Sequence, residues 1–428
     1  ELLDDRTLAS ATGDITFGST VDGVYALDVA AGAGAVTFNG AVGSTDPLTG
    51  LAVDAGRFNA LSTLDTSGDL VLTVAEGGVG QGGAWGVGGS STLDVSEGDI
   101  TLGDAGNAFA GTVNLAGDEV TIVNSGALTL GGVDVASLDA TSVGDLDLGV
   151  GRVEGDLAAR SNDGSIGQSG ALYVGGTGTL DAGSGDITLD DAGNDFAGRM
   201  HLAGGAAAVV DANALALGAL DVASLDATSH GDLLLGQGHI AGDLVARSND
   251  GAIGQSGALF VGGTGTLDAG TGDITLDDAG NDFAGTVHLA GGAASIADAN
   301  ALALGAVDVA SLEATSHGDL GLGSGNIAGE LTARSNGGDI GQSGALAVGG
   351  TGTLDAADGA IMLDEAGNDF AGLVHLAGGA VSIVDANALA LGDVDVASLA
   401  VTSHGDLGLG RGTIAGDLAA RSNGGAIG

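Results

Sequence analysis

Residues 286–372 read TVHLAGGAASIADANALALGAV, DVASLEATSHGDLGLGSGNIAG, ELTARSNGGDIGQSGALAVGG and TGTLDAADGAIMLDEAGNDFAG, stretches of 22, 22, 21 and 22 residues that fill 87 positions. The same spacing of 87 recurs along the chain. A Gly-Gln-Ser-Gly-Ala-Leu string places its glutamine at Gln168, Gln255 and Gln342, and an Asn-x-Phe-Ala-Gly string begins at Asn107, Asn194, Asn281 and Asn368. A fixed period of this kind signals a repeat architecture. Inside each stretch, apolar residues alternate with polar ones over three to five positions, as Val287 and Leu289 flank His288. Gly, Asn, Asp and Ser bound these runs, which therefore read as short strands separated by turns. Two or three apolar residues cannot bury a core alone, but stacked copies can.

Three such strands and three turns in about 22 residues make one coil of a right-handed parallel β-helix, an all-β solenoid. On this partition the 87-residue super-repeat advances four coils, and the chain holds about twenty. Ile340 is then expected in the same inward column as Ile296. The units read as 112–198, 199–285 and 286–372, with a partial unit at 373–428 that looks truncated and more divergent coils at 1–111. Asp46-Pro47-Leu48 interrupts the divergent part as a longer turn, because proline cannot donate to a ladder.

Composition narrows the function. Acids number 56 against 9 basic residues, all of them arginine, for a formal charge of −47. A surface this anionic repels nucleic acid and attracts cations. No apolar run is long enough to span a membrane. There are no cysteines, so disulfides and thiolate metal sites are excluded. The 44% hydrophobic content is too high for a disordered chain.

Strings such as Ser-Asn-Gly-Gly-Asp-Ile-Gly-Gln-Ser-Gly-Ala-Leu-Ala-Val-Gly-Gly at 335–350, Gly-Asn-Asp-Phe-Ala-Gly and Leu-Ala-Val-Asp-Ala-Gly resemble the repeats of large filamentous-haemagglutinin-like bacterial surface adhesins of the two-partner-secretion type. The resemblance implies a right-handed β-helical shaft, an extracellular or cell-surface location, and export through a partner outer-membrane transporter by analogy. Nothing in the chain matches that family's N-terminal secretion domain.

The candidate sites all repeat. Asp190, Asp191 and Asp195, then Asp277, Asp278 and Asp282, then Asp364, Glu365 and Asp369 gather hard oxygen ligands in a turn, which makes them calcium candidates. Their spacing does not match an EF-hand, and capped, solvated turns explain them as well. His201, His288, His375, His230, His317 and His404 read as surface residues. Arg160, Arg247, Arg334 and Arg421 read as salt-bridge partners of a neighbouring coil, and Phe109, Phe196, Phe283 and Phe370 as core plugs. No nucleophile–base pair stands out, and no catalytic residue or cofactor other than possible calcium is expected. The leading reading is a non-enzymatic structural shaft of an adhesin or extracellular filament, serving adhesion or a biofilm matrix through self-association or other surface components. The alternatives are a β-helical polysaccharide-binding or polysaccharide-cleaving protein, or a calcium-binding repeat protein.

Overall fold

In the computed structural model, which describes residues 1–95 and 97–428, the chain divides into two compact units, Glu1–Ala212 and Asn213–Gly428. Each is an all-β parallel solenoid, and no helix occurs among the described residues. Together they hold about 21 turns. Right-handed winding is the sense that parallel strands joined by crossovers take almost without exception.

The register in the second unit gives the winding directly. On one face Leu215 pairs with Leu233, Ile253, Ile274, Ala294, Leu312, Leu331, Gly352 and Val374 in succession. A second face runs Leu302, Leu320, Ile340, Ile361, Val381, Leu399 and Leu418. Steps along these ladders are 18 to 22 residues, so most turns are shorter than the expected 22.

The copy 286–372 shows why. Its strand Thr286–Asp298 pairs with two separate strands below it, Gly265–Asp268 and Ile274–Leu276, and so bends across two faces. Strand Leu302–Ser316 pairs with three strands above it, Leu320–Gly321, Ser324–Ile327 and Leu331–Ser335, and so covers three faces. Eight short strands follow, from Leu320–Gly321 to Asp369–Phe370. Thirteen face segments at three per turn make four and a third turns. The fold class is as the sequence predicts, and the register refines the winding from four coils per copy to four and a third, about 20 residues per turn. One expectation is corrected by this. Ile296 stacks on Ala314, Ala333 and Leu354 in the first face, whereas Ile340 stacks on Leu320 and Ile361 in the second. The two isoleucines do not share a column.

A fractional winding rotates each copy by a third of a turn. Leu215, Leu302 and Leu389 are equivalent by the 87-residue period, yet they head three different ladders, the last running Leu389, Leu407 and Ile427.

Both units bury continuous columns of Leu, Ile, Val and Ala, with Phe196, Phe283 and Phe370 as fully enclosed plugs. The first unit opens on an aromatic stack. Phe17 and Phe38 lie parallel with centroids 4.4 Å apart, Phe58 follows at 6.1 Å, and Trp85 meets Phe58 edge-on. Corners crowd the backbone of successive turns. Gly323 has φ +68, and a Cβ there would come within 2.0 Å of the Gly305 carbonyl oxygen. Only glycine meets both demands.

Truncation of a buried column residue should therefore cost far more than truncation of an outward one. Ile340→Ala is expected to lower unfolding stability by about 2–5 kcal/mol through lost contacts and a residual cavity. Met362→Ala, on an outward position that is 46% exposed, should change it by less than about 0.5 kcal/mol. Denaturant melts of the two variants check the contrast, and equal effects would reject the assignment of Ile340 to the core.

Candidate functional site

Three kinds of side-chain group recur on this scaffold, two at the corners of the turns and one along an outward strand ladder. The first is the aspartate cap. Asp156 accepts the backbone N–H of Thr177 at 2.7 Å, Asp243 that of Thr264 at 2.7 Å and Asp232 that of Ala252 at 2.9 Å. Asp319 accepts from Asp339, which in turn accepts from Ala360. In each case the donor lies 20 or 21 residues on, one turn above. A charged acceptor makes a strong hydrogen bond. The geometry suits a short side chain, and the 56 acids include only eight glutamates.

The second is a buried polar stack. Asn281 is fully enclosed, and its Oδ1 accepts from the Leu259 N–H at 2.9 Å and from Gln255 Nε2 at 2.8 Å. Its Nδ2 donates to Gln255 Oε1 at 2.9 Å and to the Leu276 carbonyl at 3.0 Å. Asn194 with Gln168 and Asn368 with Gln342 repeat the arrangement. Above Asn281, the buried Asp298 accepts the Phe283 N–H at 2.7 Å and the Asn300 N–H at 2.6 Å. Burial pushes Asp298 above the usual carboxylate range, against the opposing pull of these two donors and of His317, and Asp385 likewise, against Phe370, Asn387 and His404. In the first copy Asn124 stands in this place and accepts the Phe109 N–H at 2.8 Å.

The third is an outward ladder on which the copies differ in chemistry. Asp134, Arg152, Tyr173 and Asp195 lie in register, with the Arg152 guanidinium 3.8 Å from the Tyr173 ring centroid. The next copy carries Asp221, His239, Phe260 and Asp282, with the two rings stacked at 4.6 Å. In the third copy Asn326 and Ala347 replace base and aromatic together.

The nine calcium candidates do not gather into a cage. Asp190, Asp277, Asp364, Glu365 and Asp369 are exposed, and Asp195 and Asp282 are half-buried at outward strand positions. Asp191 and Asp278 accept the N–H of Gly193 and Gly280, each at 2.8 Å, as turn-forming side chains do. Among the described residues no group of three or more His, Asp or Glu side chains is placed to hold a metal ion.

The histidines have a backbone task. His288 Nδ1 accepts from the Ala306 N–H at 2.9 Å and His375 Nδ1 from the Asp393 N–H at 3.0 Å. Asn114 does the same for Gly132 in the first copy. Arg160, Arg247 and Arg334 bridge to Asp139, Asp226 and Glu313 of the turn below, whereas Ala400 occupies the acid's place below Arg421. The sequence marks Asn281 only as the start of a repeated string, and it does not mark Asp298 at all; the burial of both is read from the structure. The available signal was parity, since Asp298 shares the inward phase of Ala294 and Ile296.

A family model described as repeats of unknown function (DUF5649) matches residues 48–116, 137–203, 228–290 and 312–377. No curated protein and no solved structure matches the chain.

Two expectations follow from these groups. Because burial raises the folded-state pKa of Asp298, the folded protein holds that proton more tightly than the unfolded chain does. Its contribution to stability is complete below the unfolded value of about 3.9 and is lost as pH rises through the higher folded value. Asp298→Asn, the residue already present at 124, removes that loss. Thermal melts should show the variant gaining on the parent as pH rises from acid towards neutrality, and a gap that does not move with pH would refute this. Separately, calcium and sodium at matched ionic strength should shift the melting temperature alike. A saturable rise at micromolar calcium, lost when Asp277, Asp278 and Asp282 become asparagine, would establish chelation instead.

Proposed function

The chain belongs to the DUF5649 repeat family, whose description assigns no function, and we propose that it is a structural shaft segment of a secreted bacterial adhesin or extracellular filament, acting in cell-surface adhesion or in the assembly of a biofilm matrix. The observation that carries this reading is the unbroken inter-turn ladder, such as Leu302 to Leu418, in which every turn uses the backbone of its neighbours. In such an array an added copy adds length and a further patch of surface, and changes little else. Acids such as Asp156, Asp243 and Asp319 support the same reading, because they cap successive turns and do not converge on one groove. The protein is accordingly proposed to be non-catalytic. Extracellular placement, contact with other surface or matrix molecules or with further copies, and export through an outer-membrane transporter rest on the likeness of strings such as 335–350 to filamentous-haemagglutinin-like repeats.

Cells displaying the protein without residues 286–372 should still export it but adhere less, with a graded further loss as residues 199–285 are also removed. The purified chain should leave acidic and neutral polysaccharides uncleaved. Unchanged adhesion after both deletions, or cleavage of any glycan abolished by one substitution, would overturn the proposal.

A further inference from the structure

Three asparagines in the chain precede a glycine: Asn39, Asn336 and Asn423. In such a pair the backbone nitrogen of the glycine can attack the side-chain amide carbon, because the glycine has no Cβ to obstruct the approach. Asn336 and Gly337 form an exposed corner between strands Leu331–Ser335 and Ile340–Gly341. The Asn336 N–H donates to the Ser316 carbonyl at 3.0 Å, and the Gly337 N–H only to the Ser335 carbonyl beside it, at 2.8 Å. The Asn336 side-chain amide has no hydrogen bond to another described residue. Gly337 has φ +101, and a Cβ built there would meet nothing within 4 Å. The other two glycines are pressed against the turn below. A Cβ on Gly40 would lie 2.6 Å from the Ser19 carbonyl carbon, and one on Gly424 2.7 Å from the His404 carbonyl oxygen. The same corner is built differently in the earlier copies, where 161–164 and 248–251 read Ser-Asn-Asp-Gly and 335–338 reads Ser-Asn-Gly-Gly. Asp163 accepts the Ser184 N–H at 3.0 Å and Asp250 the Thr271 N–H at 2.9 Å, which ties each corner to the turn above. Asn162 Nδ2 is also engaged, donating to the Ser142 carbonyl at 3.2 Å.

We propose that Asn336 is a self-modification site, at which the chain deamidates and isomerises without an enzyme. The Gly337 nitrogen forms a bond to Cγ of Asn336 and gives up its proton. The Cγ–Nδ2 bond breaks, and ammonia leaves with that proton, so that a succinimide ring remains. Water then opens the ring. Addition at Cγ yields aspartate, and addition at the main-chain carbonyl of residue 336 yields β-linked isoaspartate. Ring closure requires the backbone to rotate until the glycine nitrogen faces Cγ. At Gly337 no neighbouring turn opposes that rotation, whereas the caps at Asp163 and Asp250 hold the equivalent corners in place. Either product exchanges a neutral amide for a carboxylate, a covalent change of charge at the surface. The β-linked form also adds a carbon to the main chain shortly before Ile340, which pairs with Leu320 and Ile361. The modification therefore marks copy 286–372 with time and spares the equivalent corners of 112–198 and 199–285.

Arginine-specific cleavage gives a direct test, because Arg160, Arg247 and Arg334 each immediately precede the Ser-Asn pair of their copy. The folded full chain is held at mildly alkaline pH, then unfolded, digested and read by mass spectrometry with electron-transfer fragmentation, which separates the two linkages. Exchange of the amide NH2 for OH is expected at Asn336 in peptide 335–411, with aspartate and isoaspartate both present. Asn39, Asn162 and Asn249, in peptides 7–57, 161–199 and 248–334, should lag several-fold. In denaturant Asn39 should catch up with Asn336, since both are followed by glycine and neither is then held by a neighbouring turn. Gly337→Asp restores the string of the earlier copies, whose Asp163 and Asp250 occupy this corner at φ 64 and 65. That variant should slow Asn336 to the rate of Asn249. An Asn336 that persists in the folded chain as long as Asn249 does would overturn the proposal. So would a folded chain in which Asn39 reacts as fast as Asn336, or a Gly337→Asp variant that reacts at the parent rate.

Discussion

Each turn of a parallel solenoid can satisfy its backbone only through the turn before and the turn after it. That constraint organises the rest of this molecule. Along the faces the ladder meets it, as between Leu320, Ile340 and Ile361. At the corners the chain changes direction and leaves N–H groups with no carbonyl above or below. Buried groups of this kind are costly when unpaired. Aspartate caps, histidine caps such as His288 and the Asn281–Gln255 stack each answer one of these corners. Much of the polar chemistry that resembles a site in the sequence is thus part of the turn-to-turn connection. The excess of aspartate over glutamate belongs to the same cause, since a short carboxylate reaches the adjacent turn with fewer torsions to fix.

The winding is the second organising fact. Thirteen segments are not a multiple of three, so identical sequence in successive copies meets different neighbours above and below. The apolar columns tolerate this because inward positions on all three faces are filled from the same small set of Leu, Ile, Val and Ala, so that Leu331 stacks on Leu312 and then on Gly352. Each face consequently shows a long, varied series of outward residues. Short-period, featureless strand surfaces slip in register and pair promiscuously, and this arrangement avoids them.

The repeat period, the all-β class and the inward alternation were all legible in the sequence, because stacked copies amplify a weak strand signal. The winding was not. Thr286–Asp298 and Leu302–Ser316 turn their corners without the usual loop, so a partition by turn-forming residues counts too few corners there. Placing Ile340 with Ile296 followed from that miscount. The functional candidates failed in a complementary way. Exposed acids such as Asp190 and Asp277 attract attention as ligands, while Asp298 and Asn281, which do the internal work, look like ordinary turn residues. Polarity points to the surface, and only the phase of Asp298 relative to Ile296 argues otherwise. His288 is similar, since its substitution by Asn114 looks like the loss of a functional group, yet both accept the same kind of backbone N–H.

The aspartate caps also limit how this protein could be re-engineered. Neutralising surface acids is a common way to adjust colloidal behaviour or reduce non-specific attraction. In most folds such positions are interchangeable, but here Asp156, Asp243 and Asp319 each hold a backbone donor of the adjoining turn. Replacing them wholesale with lysine would leave those donors without an acceptor, so a charge-reversed version of the surface is not a neutral redesign. Acids that hold no such donor, such as the exposed Asp190 and Asp277, are where the charge could be changed first.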